Sequence, residues 1–153
     1  MGNIFNQDFR EFIQALNNNH VKYILVGGYS VILHGHSRTT GDLDLWVEKS
    51  KNNYQLLVQA FADFGMSVFD MTESNFLNNL NFDVFTYGRP PVSIDIITSL
   101  KGCNFDDTYA NALIIQIEDI DIRLIHLNDL IRAKKAANRP KDNDDIEHLS
   151  KKK

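Results

Sequence analysis

The sequence predicts a single α/β or α+β domain: a mixed β-sheet with helices packed against it. Two observations carry this reading. Short β-prone runs that end abruptly alternate with apolar stripes at helical spacing. No linker, composition shift or internal repeat divides the 153 residues, so residues 1–150 read as one domain and 151–153 as a flexible basic tail.

The elements follow in order. Phe5, Phe9, Phe12, Ile13 and Leu16 share one helical face, which predicts a helix over 6–17 that ends in the poor helix formers Asn17, Asn18 and Asn19. Val21 to Val26 is a β-prone run that stops at Gly27-Gly28, where a short helix carrying Val31, Ile32 and Leu33 begins. Residues 34–41 are rich in loop formers and lead into a strand over Asp42 to Val47. Leu56, Leu57, Ala60, Phe61 and Phe64 mark a helix over 52–64, with Gly65 as its C-terminal stop. A further short helix is expected over 73–80 and a strand over 84–87. Gly88-Arg89-Pro90-Pro91 reads as a connection, because prolines cannot continue a central strand. Strands are then expected at 92–97, 113–117 and 121–124. A helix over 128–137 stops before Pro140, and Asp142 is expected to cap a last helix through Leu149.

Composition excludes several classes. At 43% hydrophobic and 24% charged the chain is neither disordered nor membrane-embedded, and no apolar run approaches the ~20 residues of a bilayer span. The N-terminus has no secretory pattern and lacks the Ser or Thr of a myristoylation motif; with Cys103 as the only cysteine, a reducing, cytoplasmic setting is expected. Sixteen basic and 20 acidic residues give a net charge of −4, wrong for a dedicated nucleic-acid binder. The late cluster Arg132, Lys134, Lys135, Arg139 and Lys141 leaves nucleic acid open as a partner.

Chemistry concentrates in one constellation. On a strand, side chains two apart share a face, so Asp42 and Asp44 point together, roughly 6.6 Å apart by the per-residue rise, while Leu43 and Leu45 face the core. Unpaired, the two carboxylates repel, and a shared divalent cation relieves that repulsion. Asp95 repeats the pattern between Ile94 and Ile96. If its strand neighbours the first, three carboxylates meet, a set suited to magnesium. Two such ions about 3.5–4 Å apart can bridge the attacking and leaving oxygens of an in-line phosphoryl displacement. With thirteen residues between Gly28 and Asp42, the Gly27-Gly28 turn opens a helix whose N–H groups suit phosphate, with Ser30 as an added donor and Arg38 as a bidentate clamp in the Arg38-Thr39-Thr40 loop.

Val26-Gly27-Gly28-Tyr29-Ser30, then Asp42-Leu43-Asp44-Leu45 and Ile94-Asp95-Ile96, resembles the nucleotidyltransferase superfamily typified by DNA polymerase beta. Arg38 to Asp44 and the late Asp129-Leu130-Ile131-Arg132-Ala133-Lys134 with Arg139-Pro140-Lys141-Asp142 look like its small bacterial branch of minimal, antibiotic-modifying and abortive-infection nucleotidyltransferases. The resemblance implies the nucleotidyltransferase fold. It implies that Asp42 and Asp44 hold two magnesium ions, with manganese an alternative, and that Asp95 holds the catalytic one and helps deprotonate the attacking hydroxyl. Gly27, Gly28 and Ser30 would hold the β- and γ-phosphates of a nucleoside triphosphate, with Arg38, Thr40 and Lys134 as further nucleotide contacts and Lys135 competing with Lys134. A hydroxyl acceptor (small molecule, protein or RNA) would displace pyrophosphate. The chain lacks a separate acceptor domain and the extra helices of template-dependent polymerases, which argues against polymerisation. The alternative is a non-catalytic nucleotide-binding subunit, for example a partner protein in a toxin–antitoxin pair. A glycosyltransferase using Asp-x-Asp fits a chain this short poorly.

Several residues have plainer readings. His34 and His36 could ligate zinc, but no cysteine joins them, and they read as structural residues at a helix end. Trp46 reads as packing, and Tyr29 as packing or a base-stacking ring. Asp142, Asp144 and Asp145 lack the glycine and closing glutamate of a calcium loop, and read as a helix cap and a solvated face.

Overall fold

The computed structural model describes residues 4–89 and 92–151, so Pro90, Pro91, Lys152 and Lys153 of the expected connection and tail lie outside the described residues. Six strands, β1 (Tyr23–Val26), β2 (Asp42–Val47), β3 (Val84–Arg89), β4 (Val92–Ile97), β5 (Leu113–Ile117) and β6 (Ile120–Leu124), form one mixed sheet in the order β3-β4-β2-β1-β6-β5. β2 runs parallel to β4 and antiparallel to β1, while β1 runs parallel to β6. The hairpins β3–β4 and β5–β6 close the two edges.

Side-chain alternation sends the strands' apolar residues to two cores. Tyr23, Leu25, Leu43, Leu45 and Ile96 enter a core with helices α1 (Gln7–Asn18), α2 (Gly27–Leu33) and α3 (Lys51–Phe64). Phe12 of α1 is fully buried between Phe61 and Phe64 of α3, both edge-on with ring centroids 5.3 Å away. Ile24, Val26 and Trp46 face the other way, toward α5 (Phe105–Asn111), α6 (Leu127–Ala137) and α7 (Pro140–Ser150). Asp42 and Asp44 alternate with Leu43 and Leu45, so they fall on this second side, in register with Trp46.

Local signals explain most boundaries. The Asn6 and Ser50 side chains cap α1 and α3, and Gly65 ends α3 in the left-handed region. The triple-asparagine segment does not break α1 where its propensity suggests. Asn17 is held by the Tyr23 hydroxyl, which donates to it at 2.9 Å, and itself donates to the Asp121 carbonyl oxygen at 2.7 Å. α4 (Glu73–Leu77) is shorter than the expected 73–80 and is capped by Thr72. β3 continues through Gly88 and Arg89, which pair with Ser93 and Val92; as an edge strand it tolerates the prolines that follow. β1 begins at Tyr23, because the Lys22 N–H donates to the Asn53 side chain at 2.8 Å and leaves the ladder.

The C-terminal half differs from the expectations in three respects. α5 was not foreseen: its stripe is only Phe105 and Tyr109, and its start signal is Asn104, whose side chain accepts from the Asp107 N–H. Phe105 lies edge-on to Trp46 at 5.2 Å, so Trp46 is core packing, as expected. Asp142 does cap α7, as expected, but from the third helical position of a capping box whose N-cap residue is Arg139. It sits in the first turn and accepts from the Arg139 backbone N–H at 3.1 Å. Asp142 and Asp145 do not form a solvated face. They are 0% and 1% exposed, because Lys134, Arg139 and Arg38 meet them there; only Asp144 is exposed.

Candidate active site

The parallel β2–β4 register sets Asp44 directly opposite Asp95 and Asp42 opposite Ser93. Neighbouring strands lie about 4.8 Å apart, so three carboxylates from two separate stretches converge on one face. Ser93 fixes one of them, its hydroxyl donating to Asp42 Oδ1 at 2.8 Å. Asp95 Oδ1 is buried with no hydrogen-bond partner among the described residues. Among the described residues no Lys, Arg or His forms an ion pair with any of the three. Burial, then the charge and hydrogen bond of Asp95 and the charge of Asp42, push the Asp44 carboxyl up to about 7, with Lys141 opposing. Crowded carboxylates with an orphaned oxygen and no internal counter-ion fit a divalent cation with oxygen preference.

The glycine turn is built against this cluster. β1 pairs with β2 so that Val26 lies opposite Asp44, which brings Gly27 onto the Asp44 side chain. Gly27 has φ +71°, and a Cβ there would overlap Asp44 Oδ2 and stand 2.7 Å from its Cγ. A Cβ on Gly28 would stand 2.5 Å from Thr40 Oγ1 and 3.3 Å from Arg38 Nη2. Gly27 is therefore favoured by conformation and by close approach, and Gly28 by close approach alone. Gly27, Gly28, Thr40 and Arg38 are thus brought together beside the triad.

Other foreseen residues have partners within the fold. Ser30 is fully buried and its hydroxyl donates to the Gly27 carbonyl oxygen at 2.6 Å, bracing the turn. Arg38 is anchored to Asp145 by Nη2 at 3.3 Å, so its clamp faces a protein carboxylate. Lys134 lies between Asp142 and Asp145, 3.2 and 3.0 Å from them, while Lys135 is exposed. Tyr29 packs on Phe5 and Phe9, with ring centroids 5.0 and 5.9 Å away.

A cleft of about 410 Å³ opens on Gly27, Asp44 and Asp95, with an apolar wall from Val26, Ile97, Leu100 and Leu130, and Lys101, Lys134 and Arg139 on its lining. Its volume lies in the range of small-molecule sites. Lys101 and Ser93 carried no signal in the sequence. Arg139 and Lys141 were visible only as part of a basic cluster.

The family described as a nucleotidyltransferase of unknown function, DUF6036, matches residues 6–150. The chain belongs to this nucleotidyltransferase family. No curated protein matches it in sequence. Among solved structures, the lincosamide antibiotic adenylyltransferase LnuA with bound lincomycin is similar in fold, with a TM-score of 0.58 at 16% identity, covering 99% of this chain and 100% of that one. A Thermotoga maritima protein proposed to be a nucleotidyltransferase gives a TM-score of 0.57 at 12% identity, covering 95% and 91%. At such identities the likeness is one of fold. It agrees with the six-stranded mixed sheet and with the nucleotidyltransferase fold that the glycine and aspartate motifs imply. Among the described residues no helix is long and apolar enough to cross a membrane.

Proposed function

We propose that this chain transfers a nucleoside monophosphate from a nucleoside triphosphate to a hydroxyl acceptor, with magnesium ions held by Asp42, Asp44 and Asp95. The observation that carries the reading is Asp44 facing Asp95 across β2–β4, with no internal counter-ion, against a glycine whose Cβ would collide with it. Divalent ions, when bound, would neutralise the phosphates and the charge that builds up on them.

The chain's own residues supply the rest. Asp42 is fixed by Ser93 and Asp44 by the strand register, so the ligand set needs little reorganisation. The N–H groups that open α2 at Gly27 and Gly28 approach phosphate oxygens closely because no side chain intervenes. Thr40 adds a hydroxyl over the same turn, while Arg38, Ser30 and Lys134 hold the loop, turn and helix in place. Lys101, Arg139 and Lys141 supply positive charge that suits the triphosphate. The attacking hydroxyl oxygen bonds to the α-phosphorus, the α–β bridging P–O bond breaks, pyrophosphate leaves, and Asp95 receives the hydroxyl proton at its unpartnered Oδ1. The apolar wall suits a base or a small acceptor. A small-molecule acceptor is the class named for the similar lincosamide enzyme. A single cysteine suits a cytoplasmic protein.

The test is incubation of the purified protein with each α-labelled triphosphate, magnesium and cell extract, followed by identification of the labelled species. A labelled acceptor with pyrophosphate release, absent in Asp42→Asn and Asp44→Asn, is the expected result. Tight nucleotide binding without label transfer from any triphosphate would instead favour the non-catalytic subunit.

A further inference from the structure

A second group of metal-ligating side chains lies outside the triad. His36, in the loop after α2, meets Asp144 and His148 of α7, and one ligand atom from each lies within 4.8 Å of the others. His34, the other histidine of the loop, is not part of the group: its Nε2 lies 2.7 Å from the Ile125 carbonyl oxygen.

His36 is 9% exposed, and its Nε2 is buried without a hydrogen-bond partner among the described residues. That nitrogen faces Asp144 Oδ2 and Asp145 Oδ1, each at 3.6 Å, beyond hydrogen-bond reach. His148 Nδ1 lies 3.6 Å from Asp144 Oδ1. Ligand atoms about 2.0–2.1 Å from a tetrahedral zinc stand roughly 3.3–3.4 Å from one another. The two histidine–Asp144 distances, which run to different carboxylate oxygens, are within a few tenths of an ångström of a zinc edge, the three ligand atoms together lie within 4.8 Å, and both distances are too long for the direct contacts that would otherwise satisfy a buried imidazole. Asp145 is already held by Lys134 at 3.0 Å and Arg38 at 3.2 Å, which leaves Asp144 as the free carboxylate.

We propose that His36, Asp144 and His148 form a zinc site, with water as the fourth ligand. Two imidazoles select zinc over magnesium, whose preference is for oxygen. The His36 and His148 rings are stacked, 3.9 Å between centroids and 17° between planes, so their lone pairs lie in two nearly parallel planes that do not meet at one ion. Binding therefore turns the His148 ring out of the stack and releases its 2.9 Å contact with the Asp144 carbonyl oxygen. At 44% exposed, His148 has room to turn, and a cavity of about 350 Å³ lies beside the two rings. Lys151 lines that cavity but is drawn toward Glu147, 3.8 Å away. The ion would staple the loop bearing Arg38 and Thr40 to α7, and so hold the roof of the glycine turn. The site stands whether or not the chain transfers nucleotides.

The test is zinc titration of untagged protein by chelator competition in excess magnesium, with cobalt absorption between 500 and 650 nm as a reading of geometry. The expected result is one zinc per chain with intense tetrahedral cobalt bands. H148Q, at a half-buried position, and D144N, at an exposed one, should each weaken binding about tenfold or more, the scale of losing one ligand-shell contact. The double variant D42N/D44N should keep the site. Absence of micromolar zinc binding, equal binding by H148Q, or loss of zinc in D42N/D44N would each overturn the proposal.

Discussion

Two aspartate clusters sit a few residues from the same cleft and solve the same electrostatic problem in opposite ways. Asp142 and Asp145 are almost fully buried, yet each is met by cations of the chain: Lys134 touches both, Arg139 binds Asp142 at 2.7 Å, and Arg38 binds Asp145 at 3.2 Å. Burial alone would raise the Asp142 carboxyl, but hydrogen bonds from Arg139 and Lys134 outweigh it and leave it below the usual carboxylate range. Asp42, Asp44 and Asp95 are less buried, form no ion pair among the described residues, and Asp44 is pushed the other way. The first cluster is closed and ties α6 to α7. The second is left open to a ligand. The absence of an internal counter-ion distinguishes a site from a staple, more than the number of carboxylates does.

The largest effect that would sharpen this contrast is on turnover. Asp44→Asn is expected to lower transfer on the order of 10²–10³-fold or more, the scale of losing one transition-state electrostatic contact, measured as pyrophosphate release. Lys134→Met should act on the fold. It strands Asp142 and Asp145 in the interior, and a loss of about 3–5 kcal/mol in urea unfolding is expected; a loss under about 1 kcal/mol would break the assignment of that cluster as structural. Gly27→Ala forces a left-handed alanine against Asp44, with an expected cost of about 1–3 kcal/mol and loss of cation binding.

A smaller effect is the pH dependence, opposite in sign for the two clusters. Asp44 has a folded pKa raised from 3.8 to about 7, so without metal its ionisation destabilises the fold progressively as pH rises from about 4 to 7. Asp142 is lowered, so its contribution is present above its unfolded pKa and is lost as pH falls through its folded value. Metal-free Asp44→Asn should therefore melt above the wild type at pH 8 and close to it at pH 4. An unchanged melting temperature at pH 8 would show that Asp44 is not held in a crowded, ion-free cluster.

Much of this was legible in the sequence because strand alternation is a strict rule. The common face of Asp42 and Asp44, and Leu43 and Leu45 in the core, follow from it, and Gly27-Gly28 announced a turn that needs close approach. Asp95 could be placed beside them only through the family resemblance, since register is a long-range property. The partners that Arg38 and Lys134 have within the chain were not legible. A loop arginine and a helix lysine look free in sequence, and their partners Asp142 and Asp145 lie on a helix that docks only in the folded chain. α5 escaped because two aromatic residues do not make a helical stripe. His36 was read beside His34 when its neighbour in space is His148.

The central claim is that the open cluster, and not the closed one, takes divalent cations. Manganese titration followed by electron paramagnetic resonance, with a nucleoside triphosphate present, tests it most directly. Wild type should bind two ions beyond those held by free nucleotide, Asp44→Asn should lose both, and Asp145→Asn, if it stays folded, should keep them. Unchanged manganese binding by Asp44→Asn would contradict the account.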